Sequence, residues 1–126
     1  MHVLLVRGRR DAADDGESFE LPGGMADRGE PRQQAAAREL GEESGFEVAR
    51  IAPLGSFFAV PAISAARCHV FEASLDRAEA QRLDDGETWT PVIVTPDDLR
   101  RYVDEGLIRD ATSLAAICRY LVRRPV

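Results

Sequence analysis

His2 to Val6 is a short apolar run that reads as a buried strand, and the polar, flexible stretch from Gly8 to Gly16 ends it. Ser18 to Leu21 is a second, briefer extended piece, broken by Pro22-Gly23-Gly24. From Glu30 the pattern becomes helical: Pro31 suits a first helical position, the middle is rich in alanine, and Gly45 stands just past Ser44 as a stop. Val48 to Val60 is apolar with Gly55 inside it, so it predicts two strand segments or one bulged strand closed by Pro61. Cys68 to Leu75 predicts another strand, and Asp76 to Gly86 a loop with a short helix at most. Trp89 to Val94 predicts the last strand. Thr95-Pro96-Asp97-Asp98 then has the cap, proline and first-turn acids of a helix start. Arg109 to Arg124 predicts an amphipathic helix with Leu114, Ile117, Cys118 and Leu121 on its apolar face. No internal repeat or linker interrupts the pattern.

With 126 residues, this is one domain spanning 1–126, large enough for a single layered core. Hydrophobic residues make up 44% and charged ones 30%, the balance of a globular chain. The longest apolar run, Leu114 to Cys118, falls far short of the ~20 residues that span a bilayer, so no membrane role is expected and a cytoplasmic setting is. The formal net charge is −6, which argues against nucleic acid bound over a broad basic footprint but leaves room for a small anion held through a cation. All 16 basic residues counted as Lys or Arg are arginine, and there is no asparagine, which excludes a Schiff-base lysine, a P-loop lysine and an Asn-linked glycan. Cys68 and Cys118 show no metal-binding spacing and read as small buried hydrophobes.

The chemistry lies between Gly23 and Phe46. If this segment is helical as predicted, Glu39, Glu42 and Glu43 stand at i, i+3 and i+4, and their carboxylates share one face within about 100° of arc. Each such like-charge pair costs an exposed helix about 0.2–0.5 kcal/mol, so acids crowded beside a glycine loop suggest a bound cation. Ligands that are all oxygen favour magnesium or manganese over zinc. Gly23 and Gly24 let a carbonyl or amide approach a ligand, Glu30 can tie the loop at the helix start, and Arg38 can hold Glu39 or Glu42 in one orientation. The spacing Gly24, Glu30, Arg38, Glu39, Leu40, Glu42, Glu43, Gly45, Phe46 would arise by chance on the order of once in a million from this composition, which displaces the bland reading of a solvated acidic face.

In that spacing the sequence resembles the Nudix hydrolases over nearly its whole length. The resemblance implies an α/β fold, the family's α/β/α sandwich around a mixed sheet. It also implies magnesium-dependent hydrolysis of a pyrophosphate joining a nucleoside to another group. By matching position, Glu39 and Glu43 would be the principal metal ligands, Glu42 an additional one and the Gly23 carbonyl a backbone ligand. Arg38 and Glu30 would support them.

Leu54 to Ser64, Phe71-Glu72-Ala73 and the ending Gly106 to Ala111 look like the ADP-ribose pyrophosphatase branch, whose substrate is a nucleoside diphosphate sugar. Pro61 matches that branch, whereas Ala62 and Ala66 replace its usual glycine and glutamate. Arg10 matches a position that can meet phosphate, or else lies with Arg7 and Arg9 on a solvated edge. With Gly24 and Pro61 it makes up the expected substrate contacts. Glu87 falls near the loop that supplies this branch with a glutamate at the water, with Asp85 second, the bland reading being a solvated acid. Trp89 and Phe57 read as core before adenine stackers, and His69 as packing.

The family has a further strand before the segment matched by His2 to Val6. Either the sheet is one strand short and a partner subunit covers the edge, predicting a homodimer, or Met1 is not the start of the full functional protein. The expected activity is cleavage of ADP-ribose, or another ADP-sugar, to AMP and a sugar phosphate. A dinucleotide, coenzyme A or an oxidised nucleotide is the rival substrate class, and a non-catalytic nucleotide-binding module the rival role.

Overall fold

A computed structural model describes residues 2–10, 16–78, 81–84 and 86–124, with the side chains of 77 and 78 left aside. Strand β1 (Val3–Arg9) runs between β2 (Glu17–Glu20) and β5 (Thr90–Val94), antiparallel to both, with Val6 opposite Glu20 and Leu5 opposite Val92. Leu4, Leu5 and Val6 are all buried, as expected of a central strand covered on both faces. The unbroken apolar run was therefore a correct sign of a two-sided core. At about 1.5–3 kcal/mol per fully buried aliphatic side chain, this strand is a principal source of the domain's cohesion.

A long hairpin, β3 (Phe46–Phe58) and β4 (Arg67–Ala78), forms the second sheet. Its register slips between Pro53 and Gly55, where Gly55 has a φ of 138°, so the single bulged strand is the arrangement adopted. β4 runs on past Leu75 to Ala78, and no helix follows it among the described residues, contrary to the short helix allowed for Asp76 to Gly86. Every pairing among the described residues is antiparallel, so the parallel element of the expected mixed sheet is not seen there.

Helix α1 (Arg32–Ser44) lies against β3, β4 and β5, while α2 (Pro96–Asp104) and α3 (Ala111–Arg123) close the remaining sides of the core. Pro31 is the cap residue of α1 and not its first turn, and no side chain caps that end. The other end stops at Gly45, which takes a left-handed φ of 80° and donates its N–H to the Gly41 carbonyl. Thr95 and Asp98 cap α2 reciprocally: the Thr95 hydroxyl accepts from the Asp98 N–H at 3.1 Å and Asp98 accepts from the Thr95 N–H at 3.2 Å.

Leu5, Val94, Leu99, Ile108 and Ile117 form one core cluster, and Leu54, Val70 and Ala116 a second. Leu21 packs on both, held by its N–H to the Ser113 hydroxyl at 2.9 Å. α3 turns the expected Leu114, Ile117 and Leu121 to the core, with Ser113 and Ala116 buried beside them, but Cys118 is exposed and not the buried thiol expected. Cys68 is half-buried, and burial pushes its thiol pKa up. A cleft of about 1200 Å³ opens between the sheets and meets every residue of β4 from Arg67 to Asp76. Side chains alternate along a strand, so a cleft that meets them all follows the strand's open edge. Among the described residues no helix is long and apolar enough to cross a membrane.

Candidate active site

The last two turns of α1 bring the acids together as their spacing predicts, and Arg38 is the hub. Its guanidinium forks onto Glu30, Nε to Oε2 at 2.9 Å and Nη2 to Oε1 at 3.0 Å. Nη1 reaches Glu39 at 3.1 Å and Glu42 at 3.2 Å, and Nη2 also donates to the Met25 carbonyl at 3.2 Å. One arginine thus fixes two helix acids and the glycine-rich loop at once. Glu30 ties that loop down by accepting the Asp27 N–H at 2.9 Å, not by meeting free donors of the helix. The Arg38 fork and that N–H hold the Glu30 carboxyl below its usual range.

Glu43 is not among the partners of Arg38 and is only 4% exposed. Its Oε2 accepts the Gly23 N–H at 3.1 Å. Burial is the main reason its pKa is pushed up to about 8, with repulsion from Glu39 and Glu87 adding to it and the Gly23 N–H and Arg10 opposing. Burial likewise raises Glu39, against the pull of Arg38, and Glu42 and Glu87 repel it. Glu87 is therefore within electrostatic reach of both helix acids. Its own carboxylate is held by two donors, the Asp84 N–H at 2.8 Å and the Trp89 indole N–H at 3.2 Å.

Neither Gly23 nor Gly24 uses a positive φ, so the expected backbone freedom is not why they are glycines. Gly24 is needed for room: a Cβ there would lie 2.5 Å from the Glu39 carboxyl, whereas nothing lies within 4 Å of one at Gly23. Arg10 forks onto Glu20 at 2.9 and 3.1 Å and lies over the buried Trp89 ring, 4.9 Å from its centroid. Arg10 nonetheless stays on an exposed edge with Arg7 and Arg9, its outer side open, while Trp89 is a core residue. Pro61 lies in the exposed turn between β3 and β4, beside Phe58 and Ile63, and no interaction joins it to the acids among the described residues. His69 faces Ser56 across the hairpin. Asp85 lies outside the described residues.

Two site residues escaped the sequence pattern. Glu20 is 4% exposed and holds Arg10 and the Ser18 hydroxyl, and Gln81 joins the end of α1 to Trp89. Only the Ser18/Glu20 spacing, which places both on one face of a strand, hinted at the first. Nothing local marks the second.

The donor set suits a hard divalent cation. Glu39, Glu42 and Glu43 offer oxygen only, and the buried Glu43 carboxyl has a single N–H against it in the hydrogen bonds described. With Glu39 and Glu42 drawn to Arg38 and Glu43 to Gly23, no three acid, imidazole or thiol side chains among the described residues are gathered to hold a metal by themselves.

Comparison with known proteins fits this picture. The NUDIX domain model matches residues 1–114. An ADP-ribose pyrophosphatase of Escherichia coli strain K12 is 30% identical over 122 residues, covering 91% of this chain and 58% of that protein. One from Bacillus subtilis strain 168 is 32% identical over 100 residues, covering 78% and 54%. The methanol dehydrogenase activator of Bacillus methanolicus matches at the same 32% over 100 residues, covering 78% and 54%. The chain thus spans little more than half the length of these relatives. A crystal structure of an ADP compounds hydrolase superposes with a TM-score of 0.83 at 21% identity, covering 96% of this chain and 65% of that one, and shares the fold.

Proposed function

Since the chain belongs to the NUDIX domain family, we propose that it hydrolyses the pyrophosphate bond of a nucleoside diphosphate joined to another moiety, with ADP-ribose as the preferred substrate. The observation that carries this reading is that Glu39 and the buried Glu43 lie against the Gly23-Gly24 loop, with Glu87 in electrostatic reach of both and Arg38 fastening the loop to the helix. Two of the relatives bear the name ADP-ribose pyrophosphatase, which supports the choice of an ADP-sugar.

Magnesium, or manganese in its place, would be held by Glu39, Glu42, Glu43 and the Gly23 carbonyl, and would supply neutralisation of the diphosphate and polarisation of phosphorus. The protein's own part is to place and deprotonate water. Glu87, anchored by Asp84 and Trp89, accepts a proton from the water as its oxygen attacks phosphorus. The bridging P–O bond breaks, giving AMP and ribose 5-phosphate. Arg38 keeps Glu39 and Glu42 oriented through the cycle. Arg10 is positioned for a substrate phosphate, since 58% of its side chain is exposed while Glu20 holds its inner edge. Gly24 leaves space where a side chain would meet Glu39, and Pro61 borders the sugar side.

The deciding experiment incubates the protein with magnesium and a panel of ADP-ribose, other ADP-sugars, dinucleotides, coenzyme A and oxidised nucleotides, reading products by mass. AMP with ribose 5-phosphate as the fastest products supports the reading. Preferential cleavage of another class moves the substrate, and binding without cleavage of any member makes the chain a binding module.

A further inference from the structure

Helix α1 ends where the acids are, so its last carbonyls have no partners inside the helix. The Gly41 carbonyl is taken by Gly45 and the Leu40 carbonyl by the Ser44 hydroxyl. The carbonyls of Glu42 and Glu43 are satisfied from elsewhere. The Arg82 N–H donates to Glu42 at 2.8 Å, and the Gln81 side-chain amide donates to Glu43 at 2.5 Å. A Cβ at Gly41 would come within 3.4 Å of the Arg82 guanidinium, so a cation also stands at the negative end of the helix. The same Gln81 nitrogen donates to the Trp89 carbonyl at 2.9 Å.

An amide NH2 has two donors, and here each is spent on a different side of the site. Gln81 and Trp89 close the base of a loop whose tip is braced by Glu87, which accepts the Asp84 and Trp89 donors and returns its own N–H to the Asp84 carbonyl at 3.1 Å. Trp89 is 5% exposed, so the base of this loop is set in the core. These bonds hold the loop to the end of α1.

The geometry points to Gln81 as a positioning residue that sets the Glu87 carboxylate relative to the acids of α1. This rests on the proposed role of Glu87, and Gln81 itself touches neither substrate nor metal. Losing its two bonds frees the loop to swing about its base, and small misplacements of a reacting group are costly.

The test compares the parent with Gln81→Met, which keeps the length and removes the donors, and with Glu87→Gln and the double variant. ADP-ribose with magnesium is the substrate. Trp89 is the chain's one tryptophan, so its emission and acrylamide quenching report directly on the loop. Gln81→Met is expected to lower kcat about tenfold or more with KM within about twofold, and to make Trp89 more quenchable. In the Glu87→Gln background, Gln81→Met should lower kcat by less than about twofold, because its effect runs through Glu87. An equal loss in both backgrounds, an unchanged kcat, or unchanged Trp89 quenching overturns the assignment. If the parent cleaves nothing, the proposed function fails, while the fluorescence arm still decides whether Gln81 holds the loop.

Discussion

The backbone N–H of Gly23 donates to Glu43 across 3.1 Å, joining the glycine loop to the buried end of the acid helix. A single neutral donor is a small counterweight for a carboxylate that is 4% exposed, and burial leaves that group with a pKa of about 8. The site therefore stores an electrostatic demand that a divalent cation would meet.

The pH dependence follows with a definite sign. Glu43 ordinarily titrates at 4.5 and in the fold at about 8, so between those values the folded chain holds more protons than the unfolded one. Stability is then highest below the lower value and is lost as pH rises through the window. Without metal, the melting temperature is expected to fall from pH 5 to pH 9. Glu43→Gln should flatten the curve, and magnesium should restore the parent at pH 9 through linkage. Scanning fluorimetry at three pH values checks all of this, and a parent curve that rises with pH would refute it.

Glu43→Gln should also lower turnover at least about a hundredfold with the fold intact, because the lost charge matters most as phosphorus is attacked. Near-normal rates at saturating magnesium would place the chemistry elsewhere.

Gly24→Ala and Gly23→Ala should separate cleanly. At Gly24 the new methyl would lie 2.5 Å from the Glu39 carboxyl, the movable end of a flexible side chain, so Glu39 shifts and the backbone does not. Turnover is expected to drop about tenfold or more while the melting temperature moves by less than about 3 °C. At Gly23 there is open space and no positive φ, so alanine should leave the rate within about twofold. Equal rates for the two variants would contradict the steric account.

Glu87→Gln should cut kcat while leaving KM and magnesium dependence nearly unchanged, the mark of an interaction made only in the transition state. Rate is to be measured against pH. A variant within about threefold of the parent across the range would return the water to the helix acids or the metal.

Assembly is the last expectation. The open edge of β4 along the cleft, with Val60 and Ile63 exposed at 49% and 84% at the neighbouring turn, offers a surface that a second copy would cover. Light scattering at micromolar concentration should give twice 13.8 kDa, and a monodisperse particle at 13.8 kDa would dismiss the homodimer.

The parts of this protein that were legible in its sequence are those in which partners lie within a few residues of each other. Glu39, Glu42 and Glu43 share a face because the helical repeat puts them there, Gly45 ends α1 because its left-handed turn suits glycine, and Thr95 finds Asp98 three positions on. The buried run in β1 was equally plain, since a strand covered on both faces has no polar alternation to read. What only the tertiary structure decided lies between segments far apart in the chain. Glu20 received Arg10, Gln81 bridged the end of α1 to Trp89, and the orientation of α3 buried Ser113 while leaving Cys118 outside. Gly24 proved necessary for the room it leaves Glu39, fifteen positions later, and not for its own dihedral angles. Periodicity records which face a residue occupies, but the packing of one element on another chooses which face is buried and which donor meets which acceptor.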